Sequence, residues 1–201
     1  MAAPSSSVQM SPFDDPNVKR HQRTVANAAF KAFNAVANRL LVELGRIYPN
    51  DAIIRFFSKE LAEMTADKTK TKIPALNFFR EVRKPAVNTK GENVQYVDLL
   101  VTRDEMAFQE PIPVTVLRSA GLAAKYRDMN PEVREILWSY VERLVGLSLK
   151  AVINGSENTE EMNRLTRAVK DSIVSGKKDL SDIVADPAVQ QTAIKLVDSI
   201  Q

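Results

Sequence analysis

Few residues in this chain could do chemistry. His21 is the single histidine, and it stands in the basic string Lys19, Arg20, His21, Gln22, Arg23. Nucleophilic catalysis would need that imidazole held by a carboxylate beside a serine, and its neighbourhood does not suggest such an arrangement. Carboxylates gather at Asp14–Asp15, at Glu160–Glu161 and in the series Asp179, Asp182, Asp186. None of these has the loop spacing of a calcium site. Near helix N-termini they are explained by the helix dipole, which favours negative charge there. The six glycines never cluster, so a phosphate-cradling loop and a dinucleotide turn are both absent from the sequence pattern. With no cysteine, disulfides and thiolate metal sites are excluded. The sequence therefore predicts no catalytic residue, no cofactor and no metal, and a protein that is not an enzyme. Acids converging from distant segments are the one route to an active site that this reading leaves open.

Two basic groups remain. Lys19, Arg20 and Arg23 lie ahead of the first expected helix, and Lys68, Lys70 and Lys72 line an expected loop. These are the candidate contacts for phosphate or another anionic partner, giving salt-sensitive affinity with little sequence readout. The formal net charge is only +3, but residues 1–100 carry 15 basic and 10 acidic groups (+5) against 13 and 15 (−2) for residues 101–201. Solvated helix faces account for the same charges without a partner, and no known base-reading module is present.

The elements that must position these groups are helical. With 201 residues, 44% hydrophobic and 26% charged, the chain has the composition of a folded globular body, read as one domain plus a tail. The most apolar stretch, Leu144 to Ile153, is too short to span a membrane and contains Lys150. Met1 to Ser7 is small and polar, which predicts no secretory signal; together with the lack of cysteine this leads to an expected intracellular location.

Residues 1–17 read as a flexible arm. Val25, Ala29, Ala32, Phe33, Val36, Leu40, Leu44 and Ile47 then recur at three- and four-residue steps and predict a long amphipathic helix, halted by Pro49. Asn50 is the expected cap of a second helix through Phe57, Leu61 and Met64. Thr65 to Lys72 reads as an exposed connection, and Pro74 as a first-turn residue of a short helix through Phe78 and Phe79. Asn88 to Asn93 is turn-like, and Val94 to Val101 is compatible with strand or helix. The spacing of Thr102 and Glu105 predicts a capping box and a helix from Arg103 towards Gln109, broken by Pro111 and Pro113. A further helix over about 114–127 presents Ala120, Gly121 and Ala124 for close packing.

The firmest element is the helix from Pro131 to about Asn154, with Asn130 as cap and Gly155 just past its end. Val133, Ile136, Leu137, Trp138, Tyr140, Val141 and Leu144 form its expected buried set, an arc wide enough for a helix at the centre of a bundle. Further helices are expected through Met162 to Ile173, Leu180 to Val184 and Val189 to Ile200. The expected fold is all-α: an irregular multi-helix bundle around that central helix, with a core domain over 18–154 and a C-terminal helical extension over 155–201 packed on the core or on a partner.

Certain residue strings carry a resemblance. Leu40–Leu41–Val42–Glu43–Leu44 with Tyr48–Pro49, then Asp104–Glu105–Met106–Ala107–Phe108, then Asn130–Pro131–Glu132 leading into Ile136–Leu137–Trp138–Ser139–Tyr140–Val141 and Leu144, span about 36–153. This arrangement resembles small helical proteins of nucleocytoplasmic large DNA viruses, in which a similar aromatic helix follows a polar cap. The resemblance implies an all-helical viral protein, carried in the particle as a minor structural or internal component, and brings over no catalytic residue. The expected role is thus a non-enzymatic interaction or virion-structural protein, with self-association or virion proteins as partners. The alternative is a nucleic-acid-associated factor using the basic N-terminal segment.

Overall fold

Asp15 opens the first helix. The computed structural model describes residues 15–155 together with Pro187 and Val189. Within it α1 runs Pro16–Ile47, with the Asp15 carboxylate accepting from the Asn17 amide at 2.7 Å and Pro16 in the first turn. A carboxylate cap followed by proline is a strong start signal. It places the helix start two residues inside the stretch expected to be an arm, so Lys19, Arg20, His21 and Arg23 sit on the opening turns of α1 and not ahead of it. The expected helices of the C-terminal extension and the arm before Asp15 lie outside the described residues, apart from helical Pro187 and Val189, the latter buried among the core residues.

α2 spans Ala52–Ala66, and its cap is Asp51, not Asn50. One Asp51 oxygen accepts from both the Ile53 and Ile54 amides at 2.9 Å. An ionised acceptor binds these amides more strongly than a neutral amide would. A turn held by Asp67, which accepts from the Thr69 amide and hydroxyl, leads to α3, Ile73–Glu81, with Pro74 in its first turn.

The ambiguous stretch 94–101 divides. β1 (Pro85–Val87) pairs antiparallel with β2 (Asn93–Gln95), Pro85 opposite Gln95, and α4 (Tyr96–Val101) follows at once. Thr102 and Glu105 do not form the expected capping box; the start of α4 is held instead by the Asp98 carboxylate, which accepts from the Gln95 amide at 2.8 Å. Thr102 is unavailable as an N-cap because its hydroxyl donates back to the Asp98 carbonyl at 2.7 Å, closing α4. Arg103 then takes a left-handed backbone (φ 54°), and Asp104 caps a single 3-10 turn, Glu105–Phe108, where a longer helix was expected.

The helix expected over 114–127 is likewise two helices, α5 (Thr115–Ser119) and α6 (Leu122–Asp128). Gly121, at φ 61°, makes the break in a region most side chains avoid. Of the small residues, Ala120 and Ala123 are buried and Ala124 is exposed.

α7, Pro131–Gly155, is capped by Asn130, whose side-chain oxygen accepts from the Val133 amide at 2.9 Å. It packs most extensively along α1. A Cβ at Gly155 would come within 3.5 Å of Phe30, so the last turn of α7 lies against the first half of α1. The fold is all-α apart from the small hairpin, as expected. The expected buried set needs one correction and two refinements. Leu137, Trp138, Val141 and Leu144 are buried, Val133 and Tyr140 are half-buried, and Ile136 is 52% exposed. The buried arc is centred further round, on Val141, Val145, Ser148 and Val152, which turns Ile136 out towards Glu135 and Ser139. The Ser148 hydroxyl, fully buried, donates to the Val145 carbonyl at 2.8 Å.

Three rings lock the irregular middle segment onto α7. Phe108 stacks on Tyr126 (centroids 4.5 Å apart) and meets Trp138 at a steep angle (4.6 Å), and the Trp138 indole donates to the Tyr126 hydroxyl at 3.2 Å. Such ring pairs add about 0.5–1.5 kcal/mol each beyond the area they bury. Tyr96 donates to the Ala107 carbonyl at 2.6 Å, and burial pushes its phenol above the usual range.

The neighbouring residues Leu137 and Ile136 give a direct check of this helix orientation. Leu137→Ala is expected to cost about 2–5 kcal/mol in urea unfolding. Ile136→Ala is expected to stay within about 0.5 kcal/mol, as for an exposed site.

Candidate functional site

An apolar cleft of about 560 Å³ opens between the helices. Phe33, Ala37, Leu40, Leu41 and Leu44 of α1 form one wall, and Phe57, Leu61 and Met64 of α2 another. Phe78 of α3, Val116 and Leu117 of α5, and Leu144 of α7 complete it. Helical spacing explains the walls: residues three and four apart share a face, and these α1 and α2 residues follow that rhythm. Glu60, Asn77, Arg80, Glu81 and Thr115 supply the polar groups of the lining. Of these, Glu81 is engaged, accepting from the Thr115 amide at 3.1 Å and hydroxyl at 2.5 Å.

A sealed, empty void of that size would cost about 13 kcal/mol at the ~24 cal/mol per Å³ seen for core cavities. That matches the whole stability of an ordinary domain, about 5–15 kcal/mol. The space is instead open at the surface, so water wets its apolar walls until something apolar displaces it. Its volume is in the usual range for binding pockets, roughly 300–1,000 Å³.

α2 is the thin side of this cleft. It carries Ile53, Ile54, Phe56, Phe57, Leu61 and Met64, yet only Ile54 and Leu61 are buried. Five of the seven exposed large apolar residues among those described, Val42, Ile47, Ile53, Phe56 and Ile73, lie on the second half of α1, on α2 or at the start of α3. None of the five is among the residues that line the cleft; they stand on the elements that form its walls.

The N-terminal end of α2 is fixed by an ion pair. The Lys125 ammonium lies 2.7 Å from the Asp51 carboxylate, with the two side chains 16% and 20% exposed. The same ammonium donates to the Ala120 carbonyl and sits 5.3 Å from the centre of the Tyr48 ring. This ties the α1–α2 corner to the α5–α6 break at Gly121. The Lys125 hydrogen bond, followed by the Ile54 amide, holds the Asp51 carboxyl below its usual range.

The candidate phosphate contacts fall in two places. Lys19, Arg20 and Arg23 occupy the opening turns of α1, and Lys68, Lys70 and Lys72 lie on the α2–α3 connection. Lys70 is paired with Asp67 at 3.4 Å. The structure does not gather the two groups into one pocket. The connection does reach α1, since the Asn34 side-chain amide donates to the Thr71 carbonyl at 2.9 Å. His21 is exposed on α1, and among the described residues no cluster of three His, Asp or Glu groups could hold a metal ion. No described helix is long and apolar enough to cross a membrane.

Sequence reasoning missed the cleft and the Asp51–Lys125 pair. The surplus of large apolar residues on α2 was the available signal for the cleft; nothing in the sequence linked positions 51 and 125. Comparison of the chain with protein-family models, with curated proteins and with solved structures finds no match.

The ion pair sets an acid limit. A carboxyl whose folded pKa is depressed contributes stability above its unfolded value, about 3.9, and loses it as pH falls through the folded value. Asp51→Asn keeps a capping oxygen but loses the charge, so its stability should fall less between neutral pH and pH ~3 than that of the parent chain. Urea unfolding at the two pH values checks this; an equal fall in both proteins would contradict it.

Proposed function

We propose that the chain is a non-enzymatic interaction protein whose recognition site is the cleft between α1, α2, α3 and α5, and that it takes up an amphipathic helix of a protein partner. The observation that carries this reading is the open apolar cleft, flanked by elements that expose Val42, Ile47, Ile53, Phe56 and Ile73. A groove between helices with apolar walls and a few polar groups suits the apolar stripe of a partner helix, whose residues at three- and four-residue spacing enter between Phe57, Met64 and Leu41. Glu60 and Arg80 then meet the polar flanks of that helix.

The resemblance of about 36–153 to small helical proteins of large DNA viruses supports a setting in the infected cell and the virus particle, where the chain would be a minor structural or internal component joined to other virion proteins or to itself.

The test is capture of partners from infected cells by the parent chain and three variants. Ala37→Trp fills the cleft and Met64→Lys charges its wall, whereas Ile136→Lys alters an exposed apolar residue on α7. A cleft partner is lost with the first two, by tenfold or more in recovered protein, and kept with the third, with thermal unfolding confirming that all are folded. A monomer by light scattering that captures nothing, or a partner recovered equally with all variants, overturns the proposal.

A further inference from the structure

α1 is strongly asymmetric in charge. Between Asp15 and Glu43 it carries no acidic residue, while Lys19, Arg20, Arg23, Lys31 and Arg39 are basic. Arg20, Arg23, Asn27, Lys31 and Asn34 are separated by steps of three and four, so they share one face of the helix. Arg20, Arg23 and Lys31 are exposed on it.

Asn34 closes the line. It is buried, its amide donates to the Thr71 carbonyl at 2.9 Å, and its side-chain oxygen has no hydrogen-bond partner in the protein. That bond pins the α2–α3 connection against α1 one turn beyond Lys31, bringing exposed Lys68 and Lys72 to the end of the same face. The one acid of the connection, Asp67, is already engaged by Thr69 and Lys70. Arg20 and Lys31 are about 16 Å apart along the helix axis at ~1.5 Å per residue, and Asn34 lies about 5 Å further on.

We infer that this line, Arg20, Lys31, Lys68 and Lys72, is a binding strip for the phosphate backbone of a nucleic acid. The site is separate from the cleft. A row of cations along a straight rod matches a linear polyanion, whose strand places a phosphate every ~3.4 Å of duplex axis, so the strip covers about six steps. The contacts are to phosphate, so affinity comes from released counterions and is indifferent to sequence.

The test is fluorescence anisotropy of a short labelled DNA duplex against the full chain, from roughly 50 to 200 mM salt. Four phosphate contacts give a slope of log K on log salt near −3.6, and each of Arg20→Gln, Lys31→Gln, Lys68→Gln and Lys72→Gln makes it shallower by about 0.9. The quadruple variant binds at least tenfold more weakly at the lowest salt, while Arg143→Gln with Lys150→Gln, exposed on α7, titrates as the parent does. These positions are exposed, so unfolding curves should coincide. Any of three results overturns the inference: no binding at the lowest salt, strip variants that titrate like the parent, or equal weakening by the α7 pair. Binding to phosphatidylserine vesicles that the duplex fails to displace also overturns it, and assigns the strip to a membrane surface.

Discussion

The fold depends on the burial of one side of α7 against α1 and, at Trp138, against the rings of Phe108 and Tyr126. Val141, Val145, Ala151 and Val152 are all buried, and Phe30 closes over the last turn at Gly155. Burying a large apolar side chain contributes about 1.5–3 kcal/mol, so a long helix buried along this arc outweighs any single polar contact in the molecule. The short elements between residues 85 and 128 have little independent stability; they persist because Phe108 and Tyr126 dock on Trp138.

Polar contacts then decide where those short elements lie. The Arg103 guanidinium reaches Glu135 at 2.7 Å and Glu142 at 2.5 Å, two acids two turns apart on the same face of α7. Those bonds accompany a left-handed backbone at Arg103 that a non-glycine residue adopts at a cost of order 1–3 kcal/mol. Bidentate geometry orders the guanidinium even at a partly exposed site. One residue further on, Asp104 accepts from the Thr89 amide and hydroxyl at 3.0 Å and so fastens the hairpin turn to the same corner. Arg134 lies over Tyr126, 4.7 Å from the ring centre, and donates to the Tyr126 carbonyl at 3.1 Å, joining α6 to α7 beside the ring stack.

Local signals carried the long helices and little else. Pro16, Pro74 and Pro131 stand in first turns, and the three- and four-residue rhythm of α1 and α7 is unmistakable because each is long enough to repeat it many times. Ile136 shows the limit of that rhythm: an apolar residue at the edge of a wide arc belongs inside or outside according to where the neighbouring helix lies, which no single helix encodes. The broken helix at Gly121 and the 3-10 turn after Arg103 escaped for a related reason. Glu135 and Glu142 hold Arg103 from 32 and 39 residues away, and Lys125, which satisfies the Ala120 carbonyl, is itself paired with Asp51, so contacts distant in sequence stabilise conformations that local propensity would refuse. The basic residues were legible by type, but their alignment on one face needed the bond from Asn34 to Thr71.

α2 shows how fixed ends permit a loose middle. Asp51 is bound by Lys125 at one end, and the connection after Ala66 is held to α1 through Thr71 at the other. Between these anchors only Ile54 and Leu61 are buried, and Phe56 and Phe57 meet edge to face at 5.6 Å with Phe56 largely in solvent. Had the whole apolar stripe of α2 been driven into the core, the cleft would be closed and the exposed apolar residues satisfied. The anchors hold α2 at a distance from α1 at which its stripe is only partly covered, and that separation leaves the apolar walls of the cleft open at the surface.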